Sequence, residues 1–199
     1  MNNCKITSIT VSPGLDDLNP LIRRLERMLG EHRLLHSLGA YHTMLFLADS
    51  CGKNLYNAAI LGLVHDCARG MTKDEMAREL EKRTDFLPEE DWNCPKIWHA
   101  RLGALIAKQD FGVKDSELLE AIRIHPTGAP DMSVSARMLF VADFIEPTRT
   151  FIGVEAFREL AFSDFERAFR KILETKLEIV RKKESVLHHD SERAANFYL

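Results

Sequence analysis

Two side chains able to hold a metal ion, His65 and Asp66, stand side by side at the end of an apolar run, residues 57–64. Neighbouring side chains on a helix diverge by about 100°, so both face one point only if the helix ends there and Asp66 turns back. Cys67-Ala68-Arg69 and the helix-stopping Gly70 provide such an end. A buried carboxylate left unpaired is costly, so the pair requires either a metal or hydrogen-bonding partners; the dipeptide alone does not choose between them. Of the eight histidines, His36, His65, His99 and His125 fall once each on four helices in turn, and Asp143 sits inside a segment that is apolar nearly all round. Bundles build metal sites from inward side chains of this kind on facing helices.

The elements that must position these groups read as all-α. Residues 20–29, 31–50, 54–66, 73–82, 97–109, 117–125, 134–145, 155–161 and 165–183 carry helical apolar stripes or caps. Thr72 with Glu75, and Ser163 with Glu166, match capping boxes, while Asn54 or Asn57, Asp115 or Ser116, and Ser133 are further caps. Pro126 and Pro147 stop two of the helices. Residues 84–96, with Pro88, Pro95 and a run of acids, read as a loop, and 188–199 as a polar tail, helical or irregular. Residues 1–19 read as an N-terminal extension with a short extended arm at 4–11, and 20–199 as a single domain. At 199 residues and 45% apolar content the chain can bury one core. Its net charge of -3 leaves no broad basic footprint for nucleic acid. No stretch reaches the roughly 18 apolar residues of a membrane span, and the first residues lack the apolar core of a signal peptide. Four cysteines without CxxC spacing fit a reducing cytoplasm. Composition leaves the oligomeric state, including a homodimer, open.

The local sequences Arg33-Leu34-Leu35-His36, Gly62-Leu63-Val64-His65-Asp66, His99-Ala100, His125-Pro126-Thr127-Gly128 and Val141-Ala142-Asp143-Phe144-Ile145-Glu146-Pro147 with Arg149 resemble the HD-domain phosphohydrolases. They are most similar to the bacterial branch that cleaves diadenosine tetraphosphate symmetrically, and the likeness covers residues 20–195. It implies an HD-domain helical bundle and a metal, iron in that family, held by His36, His65, Asp66 and Asp143. It further implies Arg33, His99, His125 and Arg149 near the phosphates of a nucleotide substrate, and cleavage to two ADP. Two positions depart from the family pattern: Arg69 stands where a lysine is usual, and Pro126 where a threonine is.

Two imidazoles and two carboxylates suit Fe, Mn, Co or Zn better than Cu(I) or Ca. Four such ligands in an octahedral field leave two positions, where a water would be acidified to hydroxide and attack a phosphorus. Asp66 would align that water. Arg33, one turn before His36, and Arg149 can fork onto phosphate oxygens, and a protonated His99 or His125 can donate to the leaving phosphate. Blander readings stand beside these. His99 and His125 can be structural or can hold a second metal. Trp92 and Trp98 can stack on an adenine or pack in the core, and His188-His189-Asp190 can line a base pocket or belong to a loose tail. His32 and His42 read as surface or outer-layer groups, Cys67 as a buried inert thiol, and Arg181-Lys182-Lys183 as a solvated helix end. Another HD-type nucleotide hydrolase, acting on a mononucleotide or on a cyclic or guanosine phosphate, and a non-catalytic nucleotide-binding protein are the rival functions.

Overall fold

The computed structural model describes residues 18–84, 86–183 and 187–199. The expected arm at 4–11, and most of the expected extension, lie outside them. Among the described residues the chain is helical with no strand: α1 (Asn19–Met28), α2 (Glu31–Ser50), α3 (Leu55–Val64), α4 (Lys73–Arg83), α5 (Glu89–Trp92), α6 (Trp98–Gln109), α7 (Ser116–Ile124), α8 (Val134–Ile145), α9 (Val154–Ser163), α10 (Phe165–Lys182) and α11 (His189–Tyr198).

Caps set most of the helix starts. The Asn54 side chain accepts from Asn57 N at 2.9 Å, which settles the choice between the two asparagines. Thr72 and Glu75 form the reciprocal capping box of α4, Asp115 caps α7, and Ser133 caps α8, which spans the expected residues. The box expected at Ser163 does not form. α9 runs on through Ser163, whose hydroxyl donates back to Glu159 O at 2.8 Å, and Asp164 caps α10 instead. Within the loop expected at 84–96, Glu89–Trp92 closes one helical turn behind Pro88.

α2 packs along α3 and α8, α7 packs against α6 and α8, and α10 closes over α8 and α9. The tightest approach is at Gly62. A Cβ there would lie 2.4 Å from Tyr41 Cα, so only glycine lets the end of α3, and His65 with it, lie against the backbone of α2. The core runs through Met44, Leu47, Leu61, Leu102, Ile122, Leu139, Phe140 and Phe169.

The C-terminal segment is a helix tied down by a buried polar network. Asp91 accepts from both Arg101 Nε (2.8 Å) and Nη2 (2.9 Å) and bonds His188 Nε2 at 3.0 Å. Arg101 Nη2 also bonds Asp190 at 2.9 Å, and the Tyr198 hydroxyl accepts from Met132 N at 2.6 Å. Trp92 and Trp98 meet edge to face with ring centroids 5.5 Å apart, and Trp98 Nε1 donates to Asp91 O. The tryptophans therefore serve packing.

Candidate metal centre

Each metal-competent histidine is delivered by an identifiable device. His65 and His125 are both C-cap residues, of α3 and α7. The last carbonyls of a helix lack intrahelical donors. Each ring turns back to supply one: His65 Nδ1 donates to Gly62 O at 2.9 Å, and His125 Nδ1 to Ile122 O at 2.8 Å. His36 lies within α2, and its Nδ1 meets Glu146 Oε1 at 3.0 Å. All three Nδ1 atoms thus donate outward, which turns the Nε2 lone pairs inward. After His65 the backbone leaves the helix through a series of turns, and Asp66 swings back toward the same point. His99 comes from the first turn of α6 and Asp143 from the last turn of α8.

The donor atoms converge. His36 Nε2 lies 3.1 Å from His65 Nε2, 3.5 Å from Asp66 Oδ2 and 3.4 Å from Asp143 Oδ1; His65 Nε2 lies 4.0 Å from Asp66 Oδ2. Ligands about 2.1 Å from one divalent ion sit about 3.0 Å apart across an octahedral edge and about 3.4 Å apart in a tetrahedron. The three edges from His36 Nε2 match those spacings, and the His65–Asp66 edge is longer at 4.0 Å. Two inward lone pairs 3.1 Å apart, flanked by two carboxylates, also require a cation or a proton between them. On the far side, Asp66 Oδ1 lies 3.5 Å from both His99 Nε2 and His125 Nε2, which are 3.4 Å from each other. Asp66 therefore faces all four histidines. His36, His65 and Asp143 form one group able to hold an ion, and His65, Asp66 and His125 an overlapping one. A third group, Asp91, His188 and Asp190, already encloses the Arg101 guanidinium.

The electrostatics of these side chains show how strongly the site recruits positive charge. Burial opposes a proton on His36, but hydrogen bonds to Asp143 and Glu146 overcome it and raise the ring to about 9. Burial pushes His65 down to about 4, and His99 goes down for the same reason. Burial also works against the Asp143 carboxyl, yet its hydrogen bond with His36 and the charge of Lys176 hold it well below the usual range. A sign follows for metal uptake. A ligating imidazole must be neutral, and His36 without an ion keeps its proton up to about pH 9. Metal binding at pH 7 is therefore expected to release about one proton, and log K to climb by about one per pH unit until it levels near pH 9. Calorimetry in buffers of differing ionisation enthalpy reads this directly; binding without proton release removes His36 from the ligand set.

A cavity of about 480 Å³ opens beside the cluster, within the usual range of about 300–1,000 Å³ for small-molecule sites. Asp143 lines it, together with the cations Arg69, Arg149 and Lys176 and the rings of Phe144 and Phe151. Arg149 Nη2 bonds Asp143 Oδ1 at 2.8 Å. Arg33 stands outside this cavity, 3.9 Å from Asp66 Oδ2; His99 and His125 face Asp66 rather than the cavity. Ser191 and Leu187 also line it, so the C-terminal segment contributes to the wall, though His188 and Asp190 are spent on the Asp91–Arg101 network. Cys67 is buried, and burial pushes its thiol up to about 12, which disfavours the reactive thiolate. His32 and His42 are exposed.

Three contributors carried no role in the residue-by-residue reading. Glu146, fully buried against His36, was legible only as part of the Asp143–Pro147 stretch, one turn from Asp143. Arg69 reaches Asp66 Oδ1 at 3.4 Å and lines the cavity, so a cation is kept where the family has lysine. Lys176 left one trace, a cation inside the apolar stripe of α10.

A helical bundle that gathers four histidines and two aspartates into overlapping donor groups, with Asp66 between the histidine pairs, has the arrangement of a candidate metal centre of the HD type. The chain belongs to the HD-domain family, whose sequence profile matches residues 33–148. It is 33% identical over 167 residues to the symmetrical bis(5'-nucleosyl)-tetraphosphatase of Bacillus subtilis, covering 84% of this chain and 89% of that protein. The protein of the same name from Halalkalibacterium halodurans is 34% identical over 166 residues, 82% of this chain and 87% of that one. The crystal structure of a predicted HD superfamily hydrolase involved in NAD metabolism, from Clostridium acetobutylicum, is similar with a TM-score of 0.85 and 33% identity, covering 90% of this chain and 95% of that one.

Proposed function

We propose that this chain hydrolyses diadenosine tetraphosphate symmetrically, giving two ADP, at the centre formed by His36, His65, Asp66 and Asp143. The observation that carries the proposal is the placing of His65, Asp66 and Asp143 donor atoms 3.1–3.5 Å from His36 Nε2, beside a cationic cavity. The two relatives at 33% and 34% identity carry the name of that activity. The donor set suits Fe, Mn, Co or Zn, and the resemblance to the HD-domain phosphohydrolases points to iron among them. The ion, when bound, supplies Lewis acidity toward a phosphate oxygen and toward water.

The chain's own groups do the rest. Asp66 offers a proton acceptor beside the reacting phosphorus. Arg149 and Arg33 balance phosphate charge as it grows in the transition state. His99 and His125, 3.4 Å apart at their Nε2 atoms, are the candidate donors to the departing phosphate, a role that requires one of the two rings to be protonated. Their spacing of 3.5 Å to Asp66 Oδ1 also favours a second reading of this pair, as part of a site for another ion; the metal-to-protein ratio decides between the two. One HD domain over residues 20–199 houses the activity. No helix among the described residues is long and apolar enough to cross a membrane, and the described cysteines are free, which supports a cytoplasmic site of action.

The test is incubation of chelator-free protein with diadenosine tetraphosphate and Fe²⁺, Mn²⁺ or Co²⁺, followed by ion-exchange separation. ADP is expected as the only product. AMP with ATP, or no turnover with any of the three ions, overturns the proposal.

A further inference from the structure

The family match ends at residue 148, but the cavity beside the metal centre is walled on one side by α10, which lies beyond it. One cation from that helix reaches the centre. Lys176 Nζ lies 3.4 Å from His125 O, 3.7 Å from Asp143 Oδ2 and 4.0 Å from the centroid of the Phe140 ring. None of these is a short hydrogen bond, for which N–H···O distances fall near 2.9 Å. Asp143 does not need the lysine for a partner, since Arg149 Nη2 holds its Oδ1 at 2.8 Å and His36 Nε2 stands 3.4 Å away. The Lys176 side chain is only 21% exposed, and burial lowers its pKa from the ordinary lysine value. An ammonium has three donors. Here they are largely withdrawn from water, supported from below by the Phe140 face, and given no short acceptor by the protein. The side left open is the cavity, which Lys176 lines together with Arg69 and Arg149.

We propose that Lys176 is a phosphate-binding residue of this active site, contributed by α10, and that it grips the phosphates of the nucleoside diphosphate half seated in the cavity. The nucleotide is named on the strength of the function proposed above; the grip itself requires only a phosphate chain at the centre. Hydrogen bonds between charged partners contribute about 1.5–3 kcal/mol, so the expected loss is about 10- to 100-fold in affinity.

The experiment measures dissociation constants of ADP and of inorganic pyrophosphate by calorimetry, on metal-loaded full-length protein, for the unaltered chain, Lys176→Met and Lys176→Arg. Metal content is assayed on the same samples. Lys176→Met is expected to weaken both ligands by about 10- to 100-fold with its metal content unchanged, and Lys176→Arg to recover most of the affinity. Pyrophosphate binding by Lys176→Met within about twofold of the unaltered chain, or no pyrophosphate binding by either, overturns the proposal. So does a loss of metal that accompanies the loss of phosphate binding, since that would make Lys176 a support for Asp143. If the unaltered chain binds pyrophosphate but yields no ADP from diadenosine tetraphosphate, the function proposed above fails, and the pyrophosphate comparison still judges Lys176.

Discussion

Asp66→Ala is expected to lose both its metal and its turnover, with kcat lowered by about 10³-fold or more. No other side chain in the centre faces so many partners. Oδ2 lies 3.5 Å from His36 Nε2, 4.0 Å from His65 Nε2 and 3.9 Å from Arg33 Nη1. Oδ1 lies 3.5 Å from both His99 and His125. Alanine removes one ligand atom from the proposed ion and the acceptor that aligns two imidazoles. It also leaves four histidines turned toward one another without the charge that makes this favourable. Asp66→Asn keeps the volume but not the charge, and is expected to fold while losing metal in the same way. The metal-to-protein ratio and kcat are measured together. A variant that keeps its metal and turns over at the normal rate removes this centre from the reaction.

Glu146→Gln is expected to weaken metal binding by about 10- to 100-fold, the usual cost of disturbing the partner behind a ligating histidine. Glu146 is fully buried. Its Oε1 accepts from His36 Nδ1 at 3.0 Å and from the Thr148 hydroxyl at 2.6 Å, and its Oε2 accepts from Thr148 N at 2.6 Å. A carboxylate satisfies all three as an acceptor. A glutamine cannot: its amide NH₂ must face either the His36 ring or the Thr148 N–H. In the first case His36 is driven to the other tautomer and turns an N–H into the centre; in the second, two donors meet. The site has no room for the side chain to swing clear, because Gly39 leaves only its own missing Cβ as space, 2.3 Å from Glu146 Oε2. Excess metal is expected to restore turnover in Glu146→Gln and not in Asp66→Ala. Unchanged metal affinity in Glu146→Gln would mean that this bond does not set the His36 tautomer.

Much of the frame was legible along the chain because it depends on near neighbours. Ser133 and the apolar run behind it mark α8 residue for residue, since a cap and a buried stripe are properties of a dozen adjacent positions. The Thr72–Glu75 box is local in the same sense, whereas the helix expected to stop at Gly70 already ends at Val64, with His65 as its cap. The error at Ser163 was local too. Ser163 and Asp164 both qualify as caps, and only the docking of α9 decided which helix the serine joined.

By itself, then, the sequence determined the helical class, most helix starts and the ordered set of histidines and aspartates, because periodicity, caps and residue chemistry act within a few turns. Tertiary structure alone decided that Glu146 stands behind His36 across 110 positions of chain. It also brought Lys176 from α10 to Asp143, turned Trp92 and Trp98 onto each other rather than into the cavity, and drew His188 and Asp190 into a network with Arg101. Those pairings follow from which helix faces pack together. Packing is set by the summed burial of many side chains across the molecule, and no window of local sequence carries that sum.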